Sequence, residues 1–327
     1  MIRRREVSAV ELMHAHLAQV ERVNPAVNAI VTFTPEAALA RARAADEALA
    51  GGDELGPLHG LPIAHKDLFP TRGLRTTFGS RIFTDNVPDH DGLIVERARA
   101  AGAIPVGKTN TPEFGAGSQT FNEVFGATRN PYDLSKTCGG SSGGAAVALA
   151  CGLVPLADGS DLGGSLRNPA AFCNVVGLRP SAGRVPTYPT RNGWYTLSVQ
   201  GPMGRTVEDV ALLLSALAGP DPRVAASLPE TGAAFANNLT RDFKGTRIAW
   251  NRDFGGLPIA AEVAAVFDQA RTAFDALGCE LEAGSPDFDG ADEAFKTLRA
   301  WSYELNYGHL LAEHRDLIKA TVTGEIE

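Results

Sequence analysis

Two glycine-rich segments, GGSSGG at Gly139–Gly144 and GSDLGGSLR at Gly159–Arg167, dominate the middle of the chain. Each segment frames a serine, Ser141 in the first and Ser165 in the second. Dense glycine lets the backbone bend tightly and leaves main-chain N–H groups able to point at a ligand. A hydroxyl held beside such donors is suited to nucleophilic attack on a carbonyl carbon. The pattern therefore predicts an acyl-transfer site.

A base for this chemistry is available upstream, in the segment PIAHKD at Pro62–Asp67. A serine hydroxyl is a poor nucleophile until a base removes its proton. Because His65 and Lys66 are adjacent, they would face opposite sides of a strand, and only one could address the site. Lys66 follows an apolar run, where burial would lower its pKa and favour the neutral amine. On these residues alone, a structural ion pair between Lys66 and Asp67 is an equal alternative.

The composition of the 327 residues is that of an ordinary globular protein, with 44% apolar and 21% charged residues. Such a length can bury one large core or two smaller ones. The net charge of −8 disfavours a nucleic-acid-binding surface. No apolar run reaches the roughly 18–20 residues of a membrane span. The chain starts with an amphipathic helical pattern rather than a signal peptide, which predicts a cytoplasmic location.

A nucleotide-binding loop is the first rival interpretation, because GAIPVGKT at Gly102–Thr109 matches the phosphate-loop pattern. The context is wrong for that function. A phosphate loop follows a strand and opens a helix, whereas Gly102 closes a helical pattern and the residues after it look extended. Pro105 also removes one of the N–H donors. A helix–glycine–strand connection is favoured.

A metal site is the second rival, and the sequence gives it little support. The seven histidines include no HExxH motif, and Asp89-His90-Asp91 reads as a solvated turn between Pro88 and Gly92. The cysteines form no CxxC pair and are interpreted as small buried residues rather than disulfides or ligands. These are Cys138, Cys151, Cys173 and Cys279.

Strands and helices alternate along the chain, which predicts an α/β fold with a layered sheet. The polar stretch Asp221–Lys244 is a weak candidate for a boundary. Helices are predicted at Val10–Val23, Pro35–Leu49, Leu93–Ala101, Ala145–Ala150, Thr206–Leu217 (with Thr206 as N-cap), Ile259–Leu277 and within Gly290–Ile318. Strands are predicted at Leu61–His65, Ala103–Val106, Leu153–Ala157, Thr246–Trp250 and Glu280–Glu282.

Taken together, the three segments resemble the amidase signature family of serine hydrolases in their motifs, order and separation. The likeness runs from Glu6 to Leu217, and its strength lies in the agreement of several glycine-rich blocks. Further matching blocks are Gly107–Asn110, Phe125–Gly126, Asn130–Pro131, Asn168–Phe172, Gly177–Pro180 and Gly201–Thr206. The resemblance implies a mixed central sheet covered by helices on both faces. We expect a single domain over residues 1–327 that lacks the C-terminal part of the family fold.

The resemblance also implies roles for individual residues. Ser165 corresponds to the nucleophile, and Ser141 to a bridging serine held by a cis peptide bond to Gly140. Lys66 corresponds to the base that takes the proton from Ser165 through Ser141. The backbone N–H groups of Leu162, Gly163, Gly164 and Ser165 are expected to form the oxyanion hole. Ser142 is expected to support the loop hydrogen bonds, and Asp161 with Arg167 to fix the loop as an internal pair.

The implied function is hydrolysis of a linear carboxylic amide to an acid and an amine or ammonia, through an acyl-enzyme. The resemblance implies a small amide substrate, neither cofactor nor metal, neither direct nucleic-acid nor membrane contact, and it allows a homodimer. One alternative is the glutaminase subunit of a tRNA-dependent Asp/Glu amidotransferase, which shares these motifs. A truncated, inactive binding or scaffold form is another.

Overall fold

A mixed sheet of six strands organises most of the chain in the computed structural model, which describes residues 1–236 and 239–327. The strands of the described part of the chain, in chain order, are β1 (Ile30–Phe33), β2 (Pro62–Lys66), β3 (Ile104–Thr109), β4 (Phe121–Asn122), β5 (Gly126–Ala127), β6 (Leu156–Asp161), β7 (Val176–Gly177), β8 (Val199–Gly204), β9 (Arg247–Trp250) and β10 (Glu280–Ala283). Strands β4 and β5 form a separate pair, as do β9 and β10. The large sheet has the order β1-β3-β2-β6-β8-β7. Its centre, β3-β2-β6, is parallel, and the other neighbours are antiparallel.

Helices cover both faces of this sheet, as the sequence predicts. The helices of the described part of the chain are α1 (Ala9–Val27), α2 (Pro35–Gly51), α3 (Leu93–Ala100), α4 (Gly143–Ala150), α5 (Arg167–Cys173), α6 (Val207–Leu217), α7 (Ala261–Ala276), α8 (Ala291–His314) and α9 (Ala320–Ile326). Those that pack in the cores on the two faces of the sheet are α1, α2, α4 and α5 on one face and α3 and α6 on the other. Because side chains alternate along a strand, neighbouring residues of β2 enter different cores. Ile63 packs in the core that includes α3 and α6, whereas Ala64 packs in the core that includes α1, α2, α4 and α5.

The predicted elements of the first half are present, with differences at their ends. The first helix runs through Pro25 to Val27 instead of stopping at Asn24. Proline removes only one backbone donor this close to a helix end, and the side chain of Asn24 accepts the N–H groups of Ala29 and Ile30. The N-cap predicted at Thr206 is confirmed, and Asp209 completes a capping box with it.

The chain divides into two compact units, residues 1–237 with 306–327, and residues 238–305. The division falls within the stretch Asp221–Lys244 that the sequence marks as a weak boundary, two residues of which lie outside the described part. The second unit contains the parallel pair β9 and β10 with α7, close to the predicted bounds. A single domain over the whole chain remains a prediction.

None of the helices in the described part of the chain is both long enough and apolar enough to cross a membrane.

Candidate active site

Lys66, the last residue of β2, is completely buried beside three serine hydroxyls. Its Nζ donates to Oγ of Ser141 at 2.7 Å, of Ser142 at 2.9 Å and of Ser160 at 3.1 Å. In a parallel sheet the carboxyl ends of neighbouring strands meet at one edge, which is a common place for a site. The sheet therefore brings the lysine of one strand to the serine loops that precede α4 and α5.

Burial lowers the pKa of Lys66 to about 7, although the carboxylates of Asp161 and Asp158 oppose the shift. The desolvation predicted from the apolar run before Lys66 is thus confirmed. The alternative, a structural ion pair with Asp67, is wrong, because Nζ of Lys66 contacts the three serine hydroxyls instead. The Asp67 carboxylate accepts hydrogen bonds from the backbone N–H and hydroxyl of Thr77. Near neutral pH a substantial fraction of the Lys66 amine is therefore uncharged and able to accept a proton.

The first glycine loop is held in place around the cis peptide bond between Gly140 and Ser141. The N–H of Gly140 donates to Oδ1 of Asn168 at 2.9 Å, and the Thr120 hydroxyl donates to the carbonyl of Gly139 at 2.9 Å. Ser141 is 2% exposed. The two residues before Ser141 are thus hydrogen-bonded in place, and the Ser141 hydroxyl contacts Lys66.

Gly143, at the start of α4, has no room for a side chain. A Cβ at this position would lie 2.2 Å from Oγ1 of Thr120 and 2.7 Å from Sγ of Cys138. We expect Gly143→Ala to lower the free energy of unfolding by about 1–3 kcal/mol, as overpacked positions do. Urea unfolding measures the loss. The control is Gly193→Ala, because nothing lies within 4 Å of a Cβ there; equal stability of the two variants would contradict this packing.

The second glycine loop joins the first through the backbone. The N–H of Ser142 donates to the carbonyl of Ser165 at 3.2 Å. Ser165 itself is half-buried, in contrast to the almost fully covered Ser141. The structure therefore brings the predicted nucleophile, bridging serine and base into one region, with Ser165 the more accessible of the two predicted catalytic serines.

The Asp161 carboxylate fixes the second glycine loop through hydrogen bonds to its backbone. It accepts from the N–H groups of Gly164 at 2.9 Å and Leu166 at 3.1 Å. It also binds the guanidinium groups of Arg167 and Arg179, each with a closest contact of 3.0 Å. Burial alone would raise the pKa of Asp161, but the hydrogen bonds from Arg167 and the two N–H groups outweigh it and hold the pKa below its ordinary value. The predicted internal pair of Asp161 and Arg167 is present.

The predicted oxyanion-hole donors differ from the structure at Gly164. The N–H of Gly164 is taken up by the Asp161 carboxylate, so it is not available to a developing oxyanion. Within the described part of the chain, the N–H groups of Leu162, Gly163 and Ser165 donate to no protein acceptor. These three remain as candidate donors. The Ser142 side chain is completely buried, and its hydroxyl contacts Lys66 and the backbone N–H of Ser160.

The two rival interpretations find no support in the structure. Lys108 of the phosphate-loop pattern is buried within β3 and donates to the carbonyl of Phe69 and to the hydroxyls of Thr71 and Thr76. Among the described residues, no group of three or more histidine, cysteine or acidic side chains could hold a metal ion. The four cysteines are all free thiols.

Comparison with known proteins agrees with this geometry. The family model described as Amidase matches residues 11–310. The chain belongs to the amidase family. Among solved structures, this amidase-family chain is similar to a bacterial aryl acylamidase of the amidase signature enzymes. The TM-score is 0.92 at 30% identity, over 99% of this chain and 69% of that one. The resemblance and the fold class predicted from the sequence are therefore confirmed.

Curated relatives of this amidase-family chain include two kinds of protein. A glutamyl-tRNA(Gln) amidotransferase subunit of Methylococcus capsulatus is 46% identical over 277 residues, which cover 85% of this chain and 57% of that protein. An acylamidase of Rhodococcus erythropolis is 40% identical over 288 residues, covering 88% of this chain and 60% of that protein. The chain thus spans about three fifths of the length of these two relatives.

Several residues that shape the amidase-family site carry no role in the sequence prediction. Ser160 is the third hydroxyl on Lys66, Asn168 holds Gly140, and Arg179 shares Asp161 with Arg167. Ser160 and Asn168 lie in motifs that the sequence singles out, so their position next to the serines could have indicated a role in the site. Arg179 lies in the Gly177–Pro180 block, where nothing local indicates that it reaches Asp161.

Proposed function

We propose that this chain carries the catalytic centre of an amidohydrolase that cleaves a linear carboxylic amide into an acid and an amine or ammonia. The observation that carries the proposal is the contact of 2.7 Å between Nζ of Lys66 and Oγ of Ser141. Burial that lowers the pKa of Lys66 to about 7 makes this lysine suited to general base catalysis at neutral pH.

The hydrogen bonds of Lys66 support a proton route through Ser141. As an ammonium, Nζ has three N–H groups for its three serine hydroxyls. As a neutral amine it keeps two N–H groups and gains one lone pair, so one hydroxyl must donate to it. We assign that hydroxyl to Ser141, because it makes the shortest of the three contacts. Ser141 can then accept the proton of Ser165.

The reaction would follow in two halves. The Ser165 hydroxyl attacks the amide carbonyl while its proton passes through Ser141 to Lys66, and the carbonyl oxygen becomes an oxyanion near the N–H groups of Leu162, Gly163 and Ser165. The C–N bond breaks as Lys66 returns the proton through Ser141 to the leaving nitrogen. Water then attacks the acyl-enzyme with Lys66 again as the base, which releases the acid and restores Ser165.

A second candidate, the glutaminase subunit of an amidotransferase, is favoured by the similarity to the amidotransferase protein of Methylococcus capsulatus. The chemistry at Ser165 would be the same, with glutamine as the amide. Ammonia release from simple aliphatic or aryl amides by the chain alone supports the amidohydrolase. Release that requires glutamine and partner subunits supports the alternative.

A fluorophosphonate probe tests the proposed function at the site itself. We expect the probe to form one covalent adduct, which mass spectrometry of the digested protein places on Ser165. An inactive binding form would give no serine adduct at all. An adduct on another serine would contradict the assignment of the nucleophile.

The homodimer, the cytoplasmic location and the absence of a cofactor stay predictions from the sequence. Light scattering of the purified chain tests the first. Retention of amide hydrolysis after exhaustive dialysis against a chelator tests the absence of a metal cofactor.

A further inference from the structure

His65 and Asp158 form a buried pair that is hydrogen-bonded to the backbone of Lys66. Nδ1 of His65 and Oδ2 of Asp158 are 2.5 Å apart, and neither side chain has any exposed surface. The other oxygen of Asp158, Oδ1, accepts the backbone N–H of Lys66 at 2.8 Å. One carboxylate from β6 therefore fixes two successive residues of β2.

The Asp158 carboxylate also lies where its charge reaches the lysine amine. Among the described residues, no carboxylate contacts Nζ directly, since its three partners are neutral hydroxyls. The negative charge that favours the ammonium form must act through space, and Asp161 and Asp158 are the groups that supply it. Asp161 is already bound by two guanidinium groups, whereas Asp158 contacts only His65 and the Lys66 N–H within the described part.

The second ring nitrogen of His65 indicates what the imidazole contributes to the pair. Its Nε2 is buried and has no hydrogen-bond partner, which is destabilising. An apolar side chain would fill the same space without that loss. The contribution of the imidazole at this position is therefore its bond to Asp158.

We propose that Asp158, held by His65, is a positioning residue that fixes Lys66 and sets the pH range in which its amine becomes a neutral base. The inference rests on the proposed function of Lys66. Other charged groups that face Lys66 or this pair are Asp67 on the segment after β2, Lys108 on β3, Asp161 on β6, and Arg167 and Arg179 through Asp161. Helix α4 brings no charged side chain to the site.

Asp158→Asn is the decisive variant, because asparagine keeps an oxygen for the Lys66 N–H and removes the charge, with an amide NH2 in place of the oxygen that faces His65. Loss of a nearby negative charge lowers the pKa of an amine. We expect the acidic midpoint of the kcat/KM profile to move to lower pH by about one unit. A purely structural role would reduce the rate at every pH and leave both the midpoint and the Lys66 pKa in place, which would overturn the inference. Asp133→Asn, an exposed aspartate, is the matched control and should shift nothing.

Two replacements of His65 test its part and remain informative if Asp158→Asn does not fold. His65→Asn retains an N–H donor near the position of Nδ1, so the midpoint should stay where the unaltered chain has it. His65→Leu removes the donor, and a buried carboxylate without a donor is favoured in its protonated, neutral form. The midpoint should therefore move in the same direction as in Asp158→Asn. Identical midpoints in the two His65 variants would refute the role of His65.

A spectroscopic titration separates this inference from the proposed function. Carbon-13 labelling at lysine Cε lets NMR follow the Lys66 amine directly, with the resonance assigned by its loss in Lys66→Met. We expect its pKa to fall in Asp158→Asn together with the kinetic midpoint. A Lys66 pKa that does not move overturns the inference. A pKa that moves while the kinetic midpoint stays supports it, and contradicts instead the base role of Lys66.

Discussion

Ser165→Ala is expected to lower the rate of amide hydrolysis by about 10⁴-fold or more, the loss that follows removal of a catalytic serine. The variant keeps the backbone N–H of residue 165 and the 3.2 Å bond from the Ser142 N–H to the carbonyl of residue 165. It removes only the hydroxyl that would form the acyl-enzyme. The measurement is ammonia release from a simple aliphatic or aryl amide, together with fluorophosphonate labelling followed by intact mass.

The control for this experiment is Ser135→Ala, which removes an exposed serine that contacts Asp133. It should react with the probe and hydrolyse the amide like the unaltered chain. Labelling that persists at the same rate in Ser165→Ala would mean that another serine is the nucleophile. Ser160 and Ser142, which both contact Lys66, would then be the next to replace.

Lys66→Met is expected to lower kcat/KM by about 10²–10⁴-fold at neutral pH, the typical contribution of a general base. Methionine occupies a volume close to that of the buried lysine stem but can neither accept nor return a proton. The residual rate should lose the acidic limb of the pH profile, because the group that titrates is gone. The profile is measured with a simple amide under saturating and limiting substrate.

Lys136→Met is the matched control, since Lys136 is exposed and its loss should leave rate and profile unchanged. Circular dichroism and the urea midpoint should show that Lys66→Met is folded. A folded Lys66→Met protein with an unaltered rate would refute the proposed base. Burial of Lys66 would then be a structural property of the sheet.

Much of the fold was predictable because local signals agree with tertiary packing. The Thr206 N-cap, the Pro35 helix start and the apolar run before Lys66 all lie where the sequence places them. Strand β8 was missed because Gly201, Pro202 and Gly204 are atypical of strands. The structure explains one of them, since a Cβ at Gly201 would lie 2.5 Å from the carbonyl oxygen of Leu178.

The site was predictable in its residues but not in its hydrogen bonds. The glycine–serine motifs pointed to Ser141, Ser165 and Lys66 together, and the resemblance gave them different roles. Which N–H groups remain for an oxyanion depends on the direction of one carboxylate, Asp161, and the sequence contains no signal for that direction. The same holds for Asp158, whose bonds to His65 and Lys66 depend on how β2 and β6 pair.

In the proposed mechanism, the buried Lys66, partly neutral near pH 7, activates Ser165 through Ser141. The most direct test is the rate of Ser165 modification by a fluorophosphonate, measured from about pH 5 to about pH 9. A base is active when it is deprotonated, so we predict a rate that falls as the pH drops through a midpoint near the Lys66 pKa of about 7. The same fall should be absent in Lys66→Met. A rate that is independent of pH over this range in the unaltered chain would rule out Lys66 as the base that activates Ser165.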